Sequence, residues 1–437
     1  MAALAQGVLG NLTVPAFAPA VASSDGAGAS GVAEPERAVI LRGGPILTVD
    51  EANPVGEALA IRGSKILGVG SLTEVKRHYT PGTEIVDLEG HAVLPGFVEP
   101  HAHVAKSALA AGLELGARTL REFAMRGCTT VYDTGIGLVG GAAEHELLGA
   151  LARAADAPVR VRGAFTPELA AALGARPGAG DEFYDVAGIA YWADGSIEDF
   201  AAAVGEPYLN GRGSGGLNHE EAELREAMRA WHRAGWQLVV HASGDRAIEQ
   251  ALGCYEALIA EEPPARVRHR IDHFTVARDE QIARAAELGL GVSHTINQVY
   301  FRGESFRDEV LGPERAARIH SLRRDLEQGI ASSCHSDSPR SPVDPCLALR
   351  TATTRLMRDS DDVLGPFQQL KFEEALRTVT CNAAEHVLLG DRVGSLRPGM
   401  LADLVVLDRD PRDVAPERLH ELRVLETWLG GRRQRWA

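Results

Sequence analysis

The stretch AVLPGFVEPHAHV, residues 92–104, decides the fold. It opens as a short apolar run with the length and composition of a buried strand, and it ends in two histidines separated by one residue. Runs of the same kind recur down the chain: CTTVYD (128–133), VRVRGAF (159–165), VAGIAYWA (186–193), QLVVHA (237–242), HRIDHFT (269–275), LGVSHTI (290–296) and GIASSCH (329–335). With 92–98 they make eight, and each is followed by a polar or helix-forming stretch. Such a series predicts the α/β class and a closed (β/α)8 TIM-type barrel over residues 91–391, not an open doubly wound sheet. One of its helices is expected over 219–235, with Asn218 as N-cap, Glu220, Glu221 and Glu223 in the first turn, and Gly235 at the end.

Outward from the barrel the pattern changes. Residues 38–49 (AVILRGGPILTV) and 58–70 (ALAIRGSKILGVG) alternate as strands, the second with a hairpin turn near Gly63-Ser64. The same character returns in GSLRPGMLADLVVLD (394–408) and VLETWLGGRRQRW (424–436). These segments predict a small β-sandwich built from 37–90 together with 392–437. Residues 1–36, rich in Ala, Gly, Pro and Ser, are expected to be a flexible tail. A signal peptide is the rival reading for them, but no Lys or Arg precedes Arg37.

Composition sets the outer limits. The 437 residues carry a formal net charge of −15, which argues against nucleic acid and anionic membrane surfaces as partners. No apolar run reaches the length of a membrane span. Five scattered cysteines, Cys128, Cys254, Cys334, Cys346 and Cys381, form no CxxC motif and no even framework. A cytoplasmic protein acting on a small molecule is the expectation, and a homo-oligomer is compatible with it.

The active site of such a barrel lies at the C-terminal ends of its strands. Strand one ends in His101 and His103, strand five in His241, strand six in His273, and Asp337 follows strand eight. An H-x-H in an extended segment puts both imidazoles on one face, about 6–7 Å apart at the backbone, within reach of one ion. Alone it is a weak pattern. Ligand-type residues at four strand ends of one barrel make a divalent metal site the preferred reading. His294, Tyr300 and Arg302, at and after strand seven, are expected to contact substrate. His269 sits deeper, where packing is the expected role, and Asp245 suits a helix start better than acid catalysis. His335 and Asp133 have structural and ligand-orienting readings side by side.

PGFVEPHAHV, HASGDRA (241–247), RHRIDHFTV (268–276), HSDSPRSPVDP (335–345) and GSLRPGMLADLVVLD together resemble the amidohydrolase superfamily. More narrowly they resemble amidohydrolase family 3, the YtcJ-like group with the N-substituted formamide deformylases, across residues 38–437. The resemblance implies a metal-dependent hydrolase acting on C–N bonds other than peptide bonds, with His101, His103, His241, His273 and Asp337 around a metal, expected to be Zn²⁺. It implies Asp337 as general base and His273 as a catalytic group that polarises the substrate carbonyl.

Two departures matter. The strand-four motif of the family, like VKLFADGS, contains a lysine that becomes carboxylated and bridges two metals. Here the stretch is IAYWADGS (189–196), with Ala190 in its place. One ion is therefore expected, held by His101, His103 and His241 with Asp337 close by. In the two-ion alternative, His241 and His273 hold the second. Neither Asp194 nor Glu198 can simply replace the lysine, since Asp194 lies about 13 Å further along an extended chain; both are expected to serve the loop, with a Glu198 that folds back as the minority reading. The family's long insertion between strands one and two is also missing, since only residues 104–127 lie there. A deaminase, a decarboxylase and a non-catalytic relative are the alternatives on this scaffold.

Overall fold

The computed structural model describes residues 37–111, 113–263, 267–360 and 362–436; the tail expected at 1–36 lies outside the described residues. The decisive run 92–98 divides between two sheets. Ala92–Pro95 pairs antiparallel with Leu404–Leu407 and touches Ile46, inside the terminal sheet. Phe97–Ala102 is the first barrel strand. Gly96 is the joint between them: a methyl group there would stand 2.2 Å from Thr129 Oγ1. The barrel thus begins at residue 97 and not at 91. Both halves are buried, so period-two alternation, which depends on one wet face, could not separate them.

The strands of both chain ends form one eight-stranded sheet. Its order runs Arg432–Arg435, Val424–Leu429, Leu404–Leu407, Ala92–Pro95, Ala38–Leu47, Val55–Arg62, Lys65–Gly70, with Glu84–Asp87 beside Ala38–Leu47. The predicted hairpin turns at Gly63, whose φ of 54° suits glycine. Ile66 exchanges backbone hydrogen bonds with Gly399 and Met400, which ties the far edge back to the segment before Leu404. The sheet therefore curls around its own core of Leu41, Leu59, Ile66, Val93, Leu404 and Trp428.

The barrel strands are Phe97–Ala102, Cys128–Ile136, Arg160–Phe165, Tyr184–Trp192, Gln237–Ala242, Arg270–His273, Gly291–His294 and Ser333–Cys334, in parallel order. The ring closes beyond strand eight, where Ser338 bridges to Ala102 and its carbonyl accepts from His103 N–H at 2.8 Å. Val98, Tyr132, Ala164, Ala190 and Val239 fill the interior below the site. Helices Val104–Ala111 and Leu113–Met125 make up the connection from strand one to strand two.

The helix predicted over 219–235 spans Glu221–Arg233. Asn218 does not cap it. Its side-chain amide donates instead to the carbonyls of Trp192 and Asp194, at 3.0 and 3.1 Å, where strand four ends and its backbone oxygens need partners.

Candidate metal centre

Three of the expected donors converge. Asp337 Oδ1 lies 3.5 Å from His101 Nε2 and 3.3 Å from His103 Nε2. Two donors on one tetrahedral ion, at about 2.0–2.1 Å each, stand about 3.4 Å apart, so the spacing suits shared ligation. His101 Nε2 is buried and makes no directed hydrogen bond among the described residues. A buried ring nitrogen without a directed partner costs free energy, and ligation of a cation would satisfy it. The residues present therefore fit a divalent ion.

His101 is aimed from behind. Its Nδ1 donates to Asp272 Oδ2 at 2.5 Å, which fixes the tautomer and leaves Nε2 free for a metal. Asp272 is held in turn by Arg270, whose Nε lies 3.0 Å from Oδ1 and whose Nη2 donates to Oδ2 at 3.1 Å. Both residues are fully buried, and the Arg270 guanidinium lies 4.5 Å over the Tyr132 ring. Burial would push the Asp272 carboxyl up, but Arg270 and His101 reverse that and hold it below the usual carboxylate range. Burial likewise lowers the His101 imidazole, yet Asp272 and Asp337 outweigh it and raise it to about 9, so a binding ion would displace a proton from Nε2.

Two more carboxylates brace the backbone. Glu99 accepts from His101 N–H at 3.3 Å and from Ser336 N–H at 3.1 Å, tying the strand-one motif to the strand-eight motif. Asp133, within strand two, accepts from Ala105 N–H at 2.7 Å and so fixes the turn that carries His103. His273 and Asp337 themselves have φ of 75° and 57°, a region that non-glycine residues adopt uncommonly.

The remaining histidines stand beside this triad. The rings of His241 and His273 are 4.1 Å apart, and that of His273 is 4.9 Å from His101. Burial lowers His241 to about 4 and takes His273 well below its ordinary value, so both are neutral at pH 7. His273 Nδ1 lies 3.0 Å from Thr295 Oγ1. His335 joins His101 and His273 in a second group of donors within 4.8 Å of one another. At the position of the family's lysine stands Ala190, paired with Val239, and Trp192 lies against Gly135 of strand two. Asp194 cannot serve, because it accepts from the backbone N–H groups of Ala203, Ser243 and Gly244 at 2.8–2.9 Å.

A model of the amidohydrolase family, its third, matches residues 113–434. The chain belongs to that family. His101 and His103 lie just before the matched range. Among curated proteins the chain is 29% identical to the amidohydrolase YtcJ of Bacillus subtilis over 248 residues, 55% of this chain and 45% of that protein. It is 30% identical to the N-substituted formamide deformylase of Arthrobacter pascens over 49% of this chain and 39% of the other. It thus spans under half the length of these relatives. With the imidazolonepropionase of Symbiobacterium thermophilum the match is 29% over 82% of this chain and 85% of that one. A metal-dependent hydrolase from Pyrococcus furiosus, solved by crystallography, shares the fold with a TM-score of 0.74 at 20% identity, covering 87% of this chain and all of the other.

In this amidohydrolase a cavity of about 430 Å³ opens over Asp337, and Arg302, Phe301, Gln298, Thr295 and Glu198 are among its walls. Two of the three expected substrate contacts lie elsewhere. His294 is fully buried and its Nε2 pairs with Asp325 at 2.7 Å, because its side of strand seven faces the outer helices. Tyr300 turns its ring under Arg350, 5.0 Å from the guanidinium. Thr295 and Gln298 take the places facing the cavity. Glu198 stands at the cavity wall, where its Oε1 accepts from Gln298, and it belongs to neither group of converging donors among the described residues. His269 is structural as expected: it accepts from Leu238 N–H and faces His232 at 2.8 Å. Asp245 receives Gly205 N–H and Arg278, which ties two loops together. Asp272, Arg270 and Glu99 went unmarked, although Arg-x-Asp inside an apolar strand is itself a sign of a buried, paired charge. Among the described residues the five cysteines are free, and no helix is long and apolar enough to cross a membrane.

Proposed function

We propose that this protein is a single-ion amidohydrolase that cleaves the C–N bond of a small-molecule amide. The observation that carries this is the convergence of His101 Nε2, His103 Nε2 and Asp337 Oδ1, with Ala190 standing where a bridging lysine would be needed for a second ion. His101, His103 and Asp337, with His241 alongside, would hold the ion, with Zn²⁺ best suited to this donor set. When bound it supplies Lewis acidity toward a carbonyl oxygen and toward water.

The chain's own residues do the rest. Asp337 stands at the floor of the cavity, where its carboxylate takes the proton released as water adds to the amide carbon. The same carboxyl returns that proton to the departing nitrogen, so the C–N bond breaks to give a carboxylate and an amine. Neutral His273, steadied by Thr295, donates a hydrogen bond toward the carbonyl oxygen as charge builds there. Glu99, Asp133 and Asp272 keep the two histidines of strand one from shifting as the proton moves.

The test is a metal count on protein purified without chelator, together with amine release from a panel of simple amides. About one ion per chain and measurable hydrolysis support the reading. Two ions per chain, or ammonia release from amino-heterocycles in place of amide cleavage, defeat it in favour of a bridged pair or a deaminase; no ion at all favours a non-catalytic relative.

A further inference from the structure

The connection from strand four to the helix Glu221–Arg233 runs from residue 193 to residue 220 with no helix or strand of its own. A connection longer than about 12–15 residues without secondary structure is uncommon in a compact domain and is usually functional. Its two ends are tied down. Asp194 accepts from three backbone N–H groups, and Asn218 donates to the carbonyls of Trp192 and Asp194. Between these anchors residues 196–199 reach the cavity over Asp337, where Glu198 and Asp199 are part of the wall.

Two contacts of unlike strength hold this segment in place. In the inner one, Gln298 donates to Glu198 Oε1, while Glu198 Oε2 is buried with no hydrogen-bond partner among the described residues. A carboxylate oxygen in that state opposes the arrangement that buries it. In the outer one, Arg340 donates to the Asp199 carboxylate and, at 2.9 Å, to Ser196 Oγ. The Asp199 and Arg340 side chains are 64% and 45% exposed, against 10% for Asp337, so the pair lies at the rim and Asp337 at the floor. Arg340 belongs to the opposite side of the opening, since its backbone N–H donates to the Asp337 carbonyl at 2.8 Å. The pair therefore joins the loop after strand four to the turn after strand eight. Arg358, a neighbouring arginine of the wall, pairs with Asp359 beside it in sequence and makes no such crossing.

We infer that Asp199 and Arg340 are specificity-determining residues, a bar across the rim that selects substrates by bulk. A slim amide passes beneath the pair, and a bulky one enters only while the pair is parted. An exposed ion pair shifts an equilibrium by a factor of about five at most and is screened by salt, so the bar opens readily. The anchors at Asp194 and Asn218 stay in place as it does, and Glu198 gains solvent. The inference rests on the hydrolase reading only for what passes through the opening.

The experiment measures association rates by stopped flow on the full chain loaded with Co²⁺, whose visible absorbance reports ligation. The probes are acetohydroxamic acid, which is slim, and 4-phenylbenzohydroxamic acid, which is bulky. Both ligate a divalent ion and are neutral at pH 7, so added salt acts on the protein and not on steering. The bulky probe should bind the wild type about 10-fold more slowly than the slim one, as entry that waits for a conformational change does. Asp199→Ala and Arg340→Ala should each raise the bulky-to-slim rate ratio about two- to fivefold, and Arg340→Lys should keep part of the barrier. Salt at about 1 M should raise the ratio in the wild type and leave it unchanged in the two alanine variants. Because each value is a ratio within one protein, a general loss of folded or loaded chain cancels. Equal rates for the two probes in the wild type, a ratio that neither alanine substitution moves, or a salt effect that persists in both variants overturns the inference. Failure of both probes to bind the loaded chain also overturns it, and amide hydrolysis by that same protein would leave the hydrolase reading standing. The expected rates with no cleavage of any amide would instead sink the hydrolase reading and leave the bar in place.

Discussion

Asp272→Asn keeps the side chain's size and removes one negative charge from the centre of the barrel. The carboxylate it replaces is fully buried, accepts from His101 at 2.5 Å and lies 3.0 Å from Arg270 Nε. Removing one partner of a buried pair costs about 3–5 kcal/mol, because the other charge stays behind without solvent. The asparagine oxygen can still accept from one of the two donors, not from both as an anion, so the lower end, about 3 kcal/mol, is expected. His101 also loses the group that fixes its tautomer, which should weaken metal binding about 10- to 100-fold. The two effects separate by assay: urea unfolding of chelator-treated protein reads the first, and competition with a chromophoric chelator reads the second. Arg270→Met added to Asp272→Asn should recover at least about 1 kcal/mol, since no charge is then stranded. A loss under about 1 kcal/mol with unchanged metal affinity, or strict additivity of the two substitutions, would refute the idea that Arg270 and Asp272 position His101.

Other outcomes follow from the same geometry. Asp337→Asn should lower kcat by about 10²- to 10⁴-fold without unfolding the protein; wild-type turnover in the variant would remove Asp337 from the role of base. Burial, with His232 beside it, depresses His269 to about 3. An unfolded histidine titrates near 6.5, so the unfolded chain takes up this proton first and acid favours unfolding. The contribution is complete above about pH 6.5 and is lost toward pH 3 at up to about 1.4 kcal/mol per unit. The urea midpoint should therefore fall between pH 7.5 and 5, and fall less in His269→Gln; parallel profiles would contradict this. Gly96→Ala should lower the thermal midpoint, at a cost of about 1–3 kcal/mol, because the new methyl meets Thr129 at 2.2 Å; a variant as stable as wild type would show that the joint has room.

The barrel was legible because each strand leaves its own apolar run and because the strand-end residues repeat at the same edge. His101, His103 and Asp337 could be read for the same reason, since each sits in a short local motif. The residues that aim them could not be reached so directly. Asp272 meets His101 across 171 positions of chain, and nothing local in RIDH reveals the partner. Glu99 joins Ser336 across 237 positions. His294 was misjudged for a subtler reason. A histidine at a strand end looks like a ligand whichever way it points, and only the packing of Asp325 against strand seven shows that it points outward. Asn218 had the composition of a cap, but two free carbonyls at the end of strand four made a stronger demand on it.

The joint at Gly96 has a consequence for the order in which the molecule is made. The strand that carries His101 and ends just before His103 is anchored, one residue earlier, to Ala92–Pro95, and that strand is paired with Leu404–Leu407. A ribosome delivers the first histidines early and their anchor only after the whole barrel has been synthesised. The pairing of Ala92–Pro95 with Leu404–Leu407 must then wait for a very long loop to close, a slow and late event by its contact order. A chain truncated before Leu404 should therefore hold His101 and the turn after it less firmly, although every expected donor is already present in it.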